Sequence, residues 1–176
     1  MAYRIRTVQA NEWRTAKELT LAALTDPVAP IAFATTVQDV AGQPDSFWQE
    51  RAERVSHGTF ARQFIAEGPD GHWAGTVVVL VERPGDEDFF DMPVRSPQAH
   101  LVGVFVRPEN RGSGLIEQLV EAGMKWAWSL AEPVVGRVRL FVHDDNRRAA
   151  AFYRRFGFVA TGVTVGADRE MEIARP

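Results

Sequence analysis

A chain of 176 residues is long enough for one well-packed domain and short for two. Its 45% hydrophobic and 24% charged residues are ordinary globular composition and exclude disorder, and a net charge of -3 with only scattered arginines excludes a polyanion-binding surface. Cysteine is absent, which excludes disulfides, thiolate metal sites and a cysteine nucleophile together.

Met1 to Arg6 lacks the apolar stretch of a signal peptide, and the longest apolar run, Gly75 to Val81, is too short to cross a bilayer, so the chain reads as cytoplasmic. Tyr3 to Val8 alternates and predicts a first strand. Asn11 is placed to cap a helix reaching about Leu24, and Asp26-Pro27 stops it. Residues 28–44, rich in Ala, Thr and Pro, read as an irregular connection. Asp45 or Ser46 starts a helix through about Val55, with Phe47, Trp48 and Ala52 on its apolar face. Arg62 to Glu67 and His72 to Glu82 read as strands joined by Gly68-Pro69-Asp70-Gly71, whose glycines and aspartate suit the left-handed conformations of a hairpin turn.

Arg83 to Ser96 is a polar loop bearing Asp86, Glu87, Asp88 and Asp91 around Phe89-Phe90. Gln98 to Val106 is a strand whose core, Leu101 to Val106, is apolar without alternation and belongs at the sheet centre. A helix from about Gly112 to Leu130 carries Leu115, Leu119, Ala122 and Trp126 on one stripe. Arg137 to Val142 predicts a strand, Asn146 to Phe156 a short helix, and Phe158 to Val165 with Arg169 to Ile173 a closing pair of strands. No repeat or linker interrupts residues 1–176, which read as a single mixed α/β domain.

Two segments carry chemistry. In Val104 to Leu115 a central strand ends, a proline turn follows, and Arg111-Gly112-Ser113-Gly114 opens a helix. Such a turn aims free backbone amides at one spot, where the helix dipole favours an anion. The nucleoside-triphosphate loop is excluded by the absence of Gly-Lys-Ser/Thr, and the dinucleotide fingerprint by a missing third glycine. On the glycines alone, a plain strand-to-helix turn is an equally good reading. In the second segment Asn146 and Tyr153 are seven residues apart and share a helix face at about 3.6 residues per turn. Each also has a plain structural role open to it, Asn146 as a cap and Tyr153 in packing.

Together the two segments resemble the GNAT N-acetyltransferase superfamily. That family carries Arg/Gln-x-x-Gly-x-Gly/Ala after its fourth strand, where this chain has Arg111 to Ile116. It also carries Asn-x-x-Ala-x-x-Phe-Tyr and then Gly-Phe, matched by Asn146, Ala149, Phe152, Tyr153, Gly157 and Phe158. The resemblance implies a central mixed sheet of six to seven strands, flanked by about four helices and splayed between the fourth and fifth strands. It implies acetyl-CoA as co-substrate, with its pantetheine arm along the backbones of Val104 and Val106. The pyrophosphate would lie on the amides of Arg111, Gly112, Ser113, Gly114, Leu115 and Ile116, with Asn146 near the arm. Ile116 departs from the family's Gly or Ala, and its side chain crowds that position. Tyr153 is the expected catalytic residue, hydrogen-bonding or protonating the departing thiolate. No metal is implied.

The acceptor implied is a primary amine, of a small molecule in the first reading and of a protein or peptide in the second. A non-catalytic acyl-CoA-binding module is the alternative from another class. No nucleic-acid or membrane partner is expected, and pairing of two copies stays open. Glu67, His100 and His143 are candidate bases beside a bound-water relay. Trp48, the irregular segment and loop 83–96 are expected around the acceptor, with the loop carboxylates drawing a cationic amine.

Overall fold

A computed structural model describes residues 2–176. In chain order the elements are β1 (Arg4–Thr7), α1 (Trp13–Leu24), α2 (Ala29–Ala32), α3 (Val37–Val40), α4 (Asp45–Ser56), β2 (Ala61–Glu67) and β3 (Trp73–Glu82). They continue with β4 (Gln98–Val106), α5 (Leu115–Ser129), β5 (Arg137–His143), α6 (Arg147–Phe156), β6 (Val159–Val165) and β7 (Asp168–Ala174). All seven strands form one sheet in the order β1-β2-β3-β4-β5-β7-β6. Every neighbouring pair is antiparallel except β4 and β5, which run parallel. The mixed α/β class and the seven-strand sheet agree with expectation.

Two local expectations change. Residues 28–44 hold two single-turn helices instead of an irregular run, which raises the helix number to six. The second of them, α3, is closed by a reciprocal cap. Thr36 Oγ1 accepts from the Asp39 amide at 3.3 Å, and the Asp39 carboxylate accepts from the Thr36 amide at 2.8 Å. Asn11 does not cap α1, because it lies inside a 3-10 turn at Ala10–Glu12. No side chain caps α1; the carboxylate of Glu12 closes the 3-10 turn instead, accepting from the Gln9 amide at 2.8 Å while also receiving Arg6.

The sheet has two covered faces. On one, α5 lays Leu115, Leu119 and Val120 into a core with Val77, Val79, Leu101 and Leu140, all buried. A fully buried leucine of this kind contributes about 1.5–3 kcal/mol. On the other face, Leu19 and Ala23 of α1 share a cluster with Ile65, Trp73 and Phe105. Trp48 and Ala52 of α4 pack with Trp13 and Val40. Trp48, expected beside an acceptor, is therefore a core residue only 2% exposed. α1 and α4 thus roof one side of β2, β3 and β4, and the space under that roof is where the site forms.

Candidate active site

The site begins as a defect in the sheet. Between the pairs Val78–Val102 and Thr76–Phe105, β4 has two residues, Gly103 and Val104, against the single Val77 of β3. This is a β-bulge, and Gly103 sits in it at φ 59°, a conformation glycine adopts without a Cβ penalty. The extra residue bends β4 away from β5. The two strands pair only at Ala99–Val138 and His100–Arg139, and then diverge. Beyond that point the β5-facing backbone edge of Leu101 to Val104 has no strand beside it. A half-buried edge of this kind offers amides and carbonyls to an extended ligand arm.

At the mouth of the fork the chain runs through a 3-10 turn at Pro108–Asn110 into Arg111 to Gly114, and α5 starts at Leu115. Gly112 and Gly114 have φ of 76° and 78°, and nothing lies within 4 Å of where a Cβ would stand on either. The loop surface there is open. Gly114 is the N-cap, and no side chain accepts from the first-turn amides, which face outward with the positive end of the helix dipole. Arg111 itself points elsewhere. Its guanidinium donates to Val106 O at 3.0 Å and to the Asp26 carboxylate at 2.6 Å. Burial works to raise the Asp26 carboxyl, but the Val28 amide and Arg111 overcome it and hold it below the usual range. Arg111 thus ties the end of α1 to the end of β4.

Ser113 Oγ is likewise occupied, donating to Asn110 O at 2.5 Å. The side chains of Leu115 and Val106 are in the core, so these positions present backbone alone. Val104 and Ile116 line the cleft directly.

Across the fork, Asn146 caps α6 by accepting from the Ala149 amide at 3.3 Å, which leaves its side-chain NH2 uncommitted. One and two turns on, Ala149 and Tyr153 continue the same face into the cleft. The Tyr153 ring packs edge-on to Phe152 and Phe158, at 5.2 and 5.6 Å between centroids. Among the described residues its hydroxyl has no hydrogen-bond partner, and burial pushes the phenol well above its ordinary pKa. The Tyr153 phenol is therefore held protonated, with its hydroxyl uncommitted.

These elements line a cleft of about 960 Å³ that runs from α6 and β5, through the fork, to the roof formed by α1 and α4, with α2 beside them. Of the candidate bases, Glu67 is outside it, occupied by Arg6 through two hydrogen bonds of 2.8 Å. His143 and His100 both line it. His143 accepts the Asp145 amide at 3.1 Å. His100 is 2% exposed, walled by Phe89, Phe90 and Phe141, with a buried, unpartnered Nδ1 at 3.7 Å from Glu82.

Loop 83–97 contributes only Phe89 and Phe90 to the cleft. Its carboxylates do not face an acceptor. Asp88 turns inward and accepts from Arg139 at 2.8 Å and from the Phe90 and Met92 amides. The physical reason is the buried Arg139, which a low-dielectric interior tolerates only with carboxylates around it. Sequence reasoning also missed Phe47, Glu50, Arg51 and Arg54 of α4, which do line the cleft. Their spacing of three, four and seven residues from Phe47 was the available signal, since it puts all four on one helix face.

A family profile described as "Acetyltransferase (GNAT) family" matches residues 19–158, and the chain belongs to that family. Solved structures share its fold at low identity. The acetyltransferase of GNAT family from Streptococcus pneumoniae is 16% identical with a TM-score of 0.71, over 99% of this chain and 100% of that one. The PaiA N-acetyltransferase from Thermoplasma acidophilum, solved in complex with coenzyme A, is 18% identical with a TM-score of 0.72, again over 99% and 100%. AAC(6')-Iy in complex with the bisubstrate analogue CoA-S-monomethyl-acetylneamine is 19% identical with a TM-score of 0.66, over 94% of this chain and 96% of that one. No curated protein matches the sequence.

Proposed function

We propose that this chain transfers an acetyl group from acetyl-CoA to a primary amine of a small molecule by direct attack on the thioester. The observation that carries the reading is the meeting, in one cleft, of the unpaired edge of β4, the open amides at the start of α5 and the unbonded hydroxyl of Tyr153. The arm of the cofactor pairs with Leu101 to Val104, and its pyrophosphate lies on the amides around Gly114 and Ile116. Neutral amine nitrogen bonds to the carbonyl carbon and a β4 amide donates to the oxyanion. As the intermediate collapses the nitrogen loses its extra proton to water, the C–S bond breaks with Tyr153 hydrogen-bonding the sulfur, and the thiolate takes up a proton to leave as the thiol.

The amine must first lose a proton, because an alkyl ammonium has a pKa of about 10.4. His100, in the acceptor half of the cleft, receives that proton through water, with Glu82 behind it. The test is release of thiol from acetyl-CoA, matched by equal N-acetylated product, over a panel of amines. His100→Gln is expected to lower kcat/KM at neutral pH and to recover as pH approaches the amine pKa. Coenzyme A binding with no thiol release from any amine would leave only a binding module.

Coenzyme A held by backbone predicts unequal effects at two neighbouring positions. Gly114→Val puts a β-branched residue at φ 78°, a strain of about 1–3 kcal/mol, in the middle of the amide cradle. Its dissociation constant for coenzyme A is expected to rise at least about tenfold. Arg111→Ala is expected to leave that constant nearly unchanged. It instead lowers stability by about 1–3 kcal/mol, the cost of leaving buried Asp26 with the Val28 amide but without its charged donor. A titration in which the Arg111 variant loses more affinity overturns the backbone cradle.

A further inference from the structure

The acceptor end of the cleft carries charge that no part of the protein uses. On α4, Phe47, Glu50, Arg51, Arg54 and Val55 face the cleft opposite Ala61, Gln63, Val78 and Leu80 of the sheet. The polar groups of the sheet are already satisfied there. Gln63 donates to Thr76 Oγ1 at 3.0 Å, and Thr76 in turn donates to Phe64 O at 2.9 Å. Among the described residues, Arg51 and Arg54 make neither a hydrogen bond nor an ion pair, although other arginines on the same face of the sheet are matched to carboxylates.

Arg54 alone has a local explanation, since a cation in the last turn of a helix complements its dipole. Arg51 does not. It stands one turn earlier beside a like charge, and desolvation on the cleft wall, together with Arg54, lowers its pKa. Glu50 is the only acid α4 adds to the cleft. It lies four residues before Arg54, the spacing at which such pairs form, yet among the described residues no ion pair joins them. At the far end of the cleft Asp168 and His143 lie beside the start of α6, away from α4. The acceptor wall is therefore left with a surplus of positive charge, carried by two solvent-exposed guanidinium groups on a concave surface, an arrangement well suited to a planar anion.

We propose that Arg51 and Arg54 form an anion subsite, and that the acceptor is an amine that also carries a carboxylate or phosphate group. This inference rests on the acyl-transfer reading and adds the substrate class to it. The anion is held against α4, and the amine extends between Phe47, Phe89 and Phe90 toward the thioester at the fork. A polycationic acceptor is disfavoured by the same two charges.

The test is a matched panel in the thiol-release assay: free amino acids, their amides and the corresponding decarboxylated amines, O-phosphoethanolamine against ethanolamine, and spermidine. Anionic members are expected to exceed their neutral or cationic partners in kcat/KM by at least about tenfold. The carboxylate and phosphate arms decide which group the subsite takes. Arg51→Gln with Arg54→Gln is expected to abolish that preference through KM for the acceptor, with KM for acetyl-CoA unchanged. Neither side chain bonds the protein, so these variants keep the fold, which a thermal melt verifies. Amides, decarboxylated amines or spermidine reacting as well as the anionic members, or a preference that survives both substitutions, overturns the subsite while leaving acyl transfer intact. No thiol release from any member, with coenzyme A still bound, overturns acyl transfer and the subsite with it.

Discussion

Replacing Arg139 by methionine is expected to lower the unfolding free energy by about 3–5 kcal/mol at pH 7, the usual cost of removing one partner from a buried ionic cluster. Arg139 donates to Glu82 at 2.9 Å, Asp88 at 2.8 Å and Glu170 at 2.9 Å, and all four side chains are under a tenth exposed. Those carboxylates come from β3, loop 83–97 and β7, so one guanidinium joins three segments to β5. Without it, three carboxylates face one another in low dielectric.

The pH dependence separates this account from a simple packing defect. In the parent, burial works to raise each carboxyl and is overcome: at Glu82 by His100 and Arg139, at Asp88 by Arg139 and the backbone amides of Met92 and Phe90, at Glu170 by Arg139, Thr161 and Arg137. All three lie below their ordinary values. Their contribution is therefore fully present above the unfolded carboxylate pKa of about 4, and is lost as pH falls through the lower folded values. In the variant, burial is no longer opposed by Arg139, so the carboxyls move upward and take protons near neutrality. The stability difference between parent and variant should thus shrink as pH is lowered from 7 toward 5. Urea unfolding across that range measures it. A difference that stays constant with pH would mean that lost packing, not uncompensated charge, is responsible.

The cluster also has a place in the site. His100–Arg139 is the last paired position of β4 and β5 before the fork opens. Arg139 holds β5 to β3 and β7 at that root, while the bulge at Gly103 turns β4 away above it. Closed on one side and bent on the other, the sheet opens only where a ligand arm can be paired.

Much of this was legible before any coordinates. The apolar run Leu101 to Val106 marked the central strand because a strand buried on both faces needs no alternation, and the Gly68–Gly71 turn marked the hairpin because its residues tolerate positive φ. The Arg111 to Ile116 and Asn146 to Tyr153 motifs were legible because helix starts and helix faces are properties of short spacing. The misread positions depend on partners distant in sequence. Trp48 reads equally well as ligand wall or core, and only Trp13 and Val40 across α1 and α3 decide for the core. The acidic loop reads as a lure for cations until Arg139, 51 residues beyond Asp88, claims it. The uncommitted arginines of α4 look like any solvated helix face until the fold turns that face toward the cleft. Spacing showed what shares a face, and only the fold showed which charges were left over.

Tyr153→Phe is expected to lower kcat by at least about tenfold while the affinity for acetyl-CoA barely changes. A coenzyme A thiol resembles cysteine, with a pKa of about 8.5 against about 10 for free tyrosine, so complete transfer from free tyrosine is uphill by roughly 2 kcal/mol. Burial raises the Tyr153 phenol further and makes full transfer costlier still. The same burial keeps the hydroxyl protonated and free of competing partners, so it can donate to sulfur more strongly as the C–S bond breaks. Help of this kind is typically about 10²–10⁴-fold. Because the phenol titrates above its ordinary value, it adds no alkaline limb to the pH–rate profile below about 10, and any limb seen there belongs to another group. The ring contacts with Phe152 and Phe158 survive in phenylalanine, and no protein hydrogen bond is lost, so the melting temperature should hold. Single-turnover measurements isolate the chemical step from product release. Parent-like single-turnover rates in Tyr153→Phe would make Tyr153 a packing residue of α6 and place the donor to the sulfur elsewhere in the cleft.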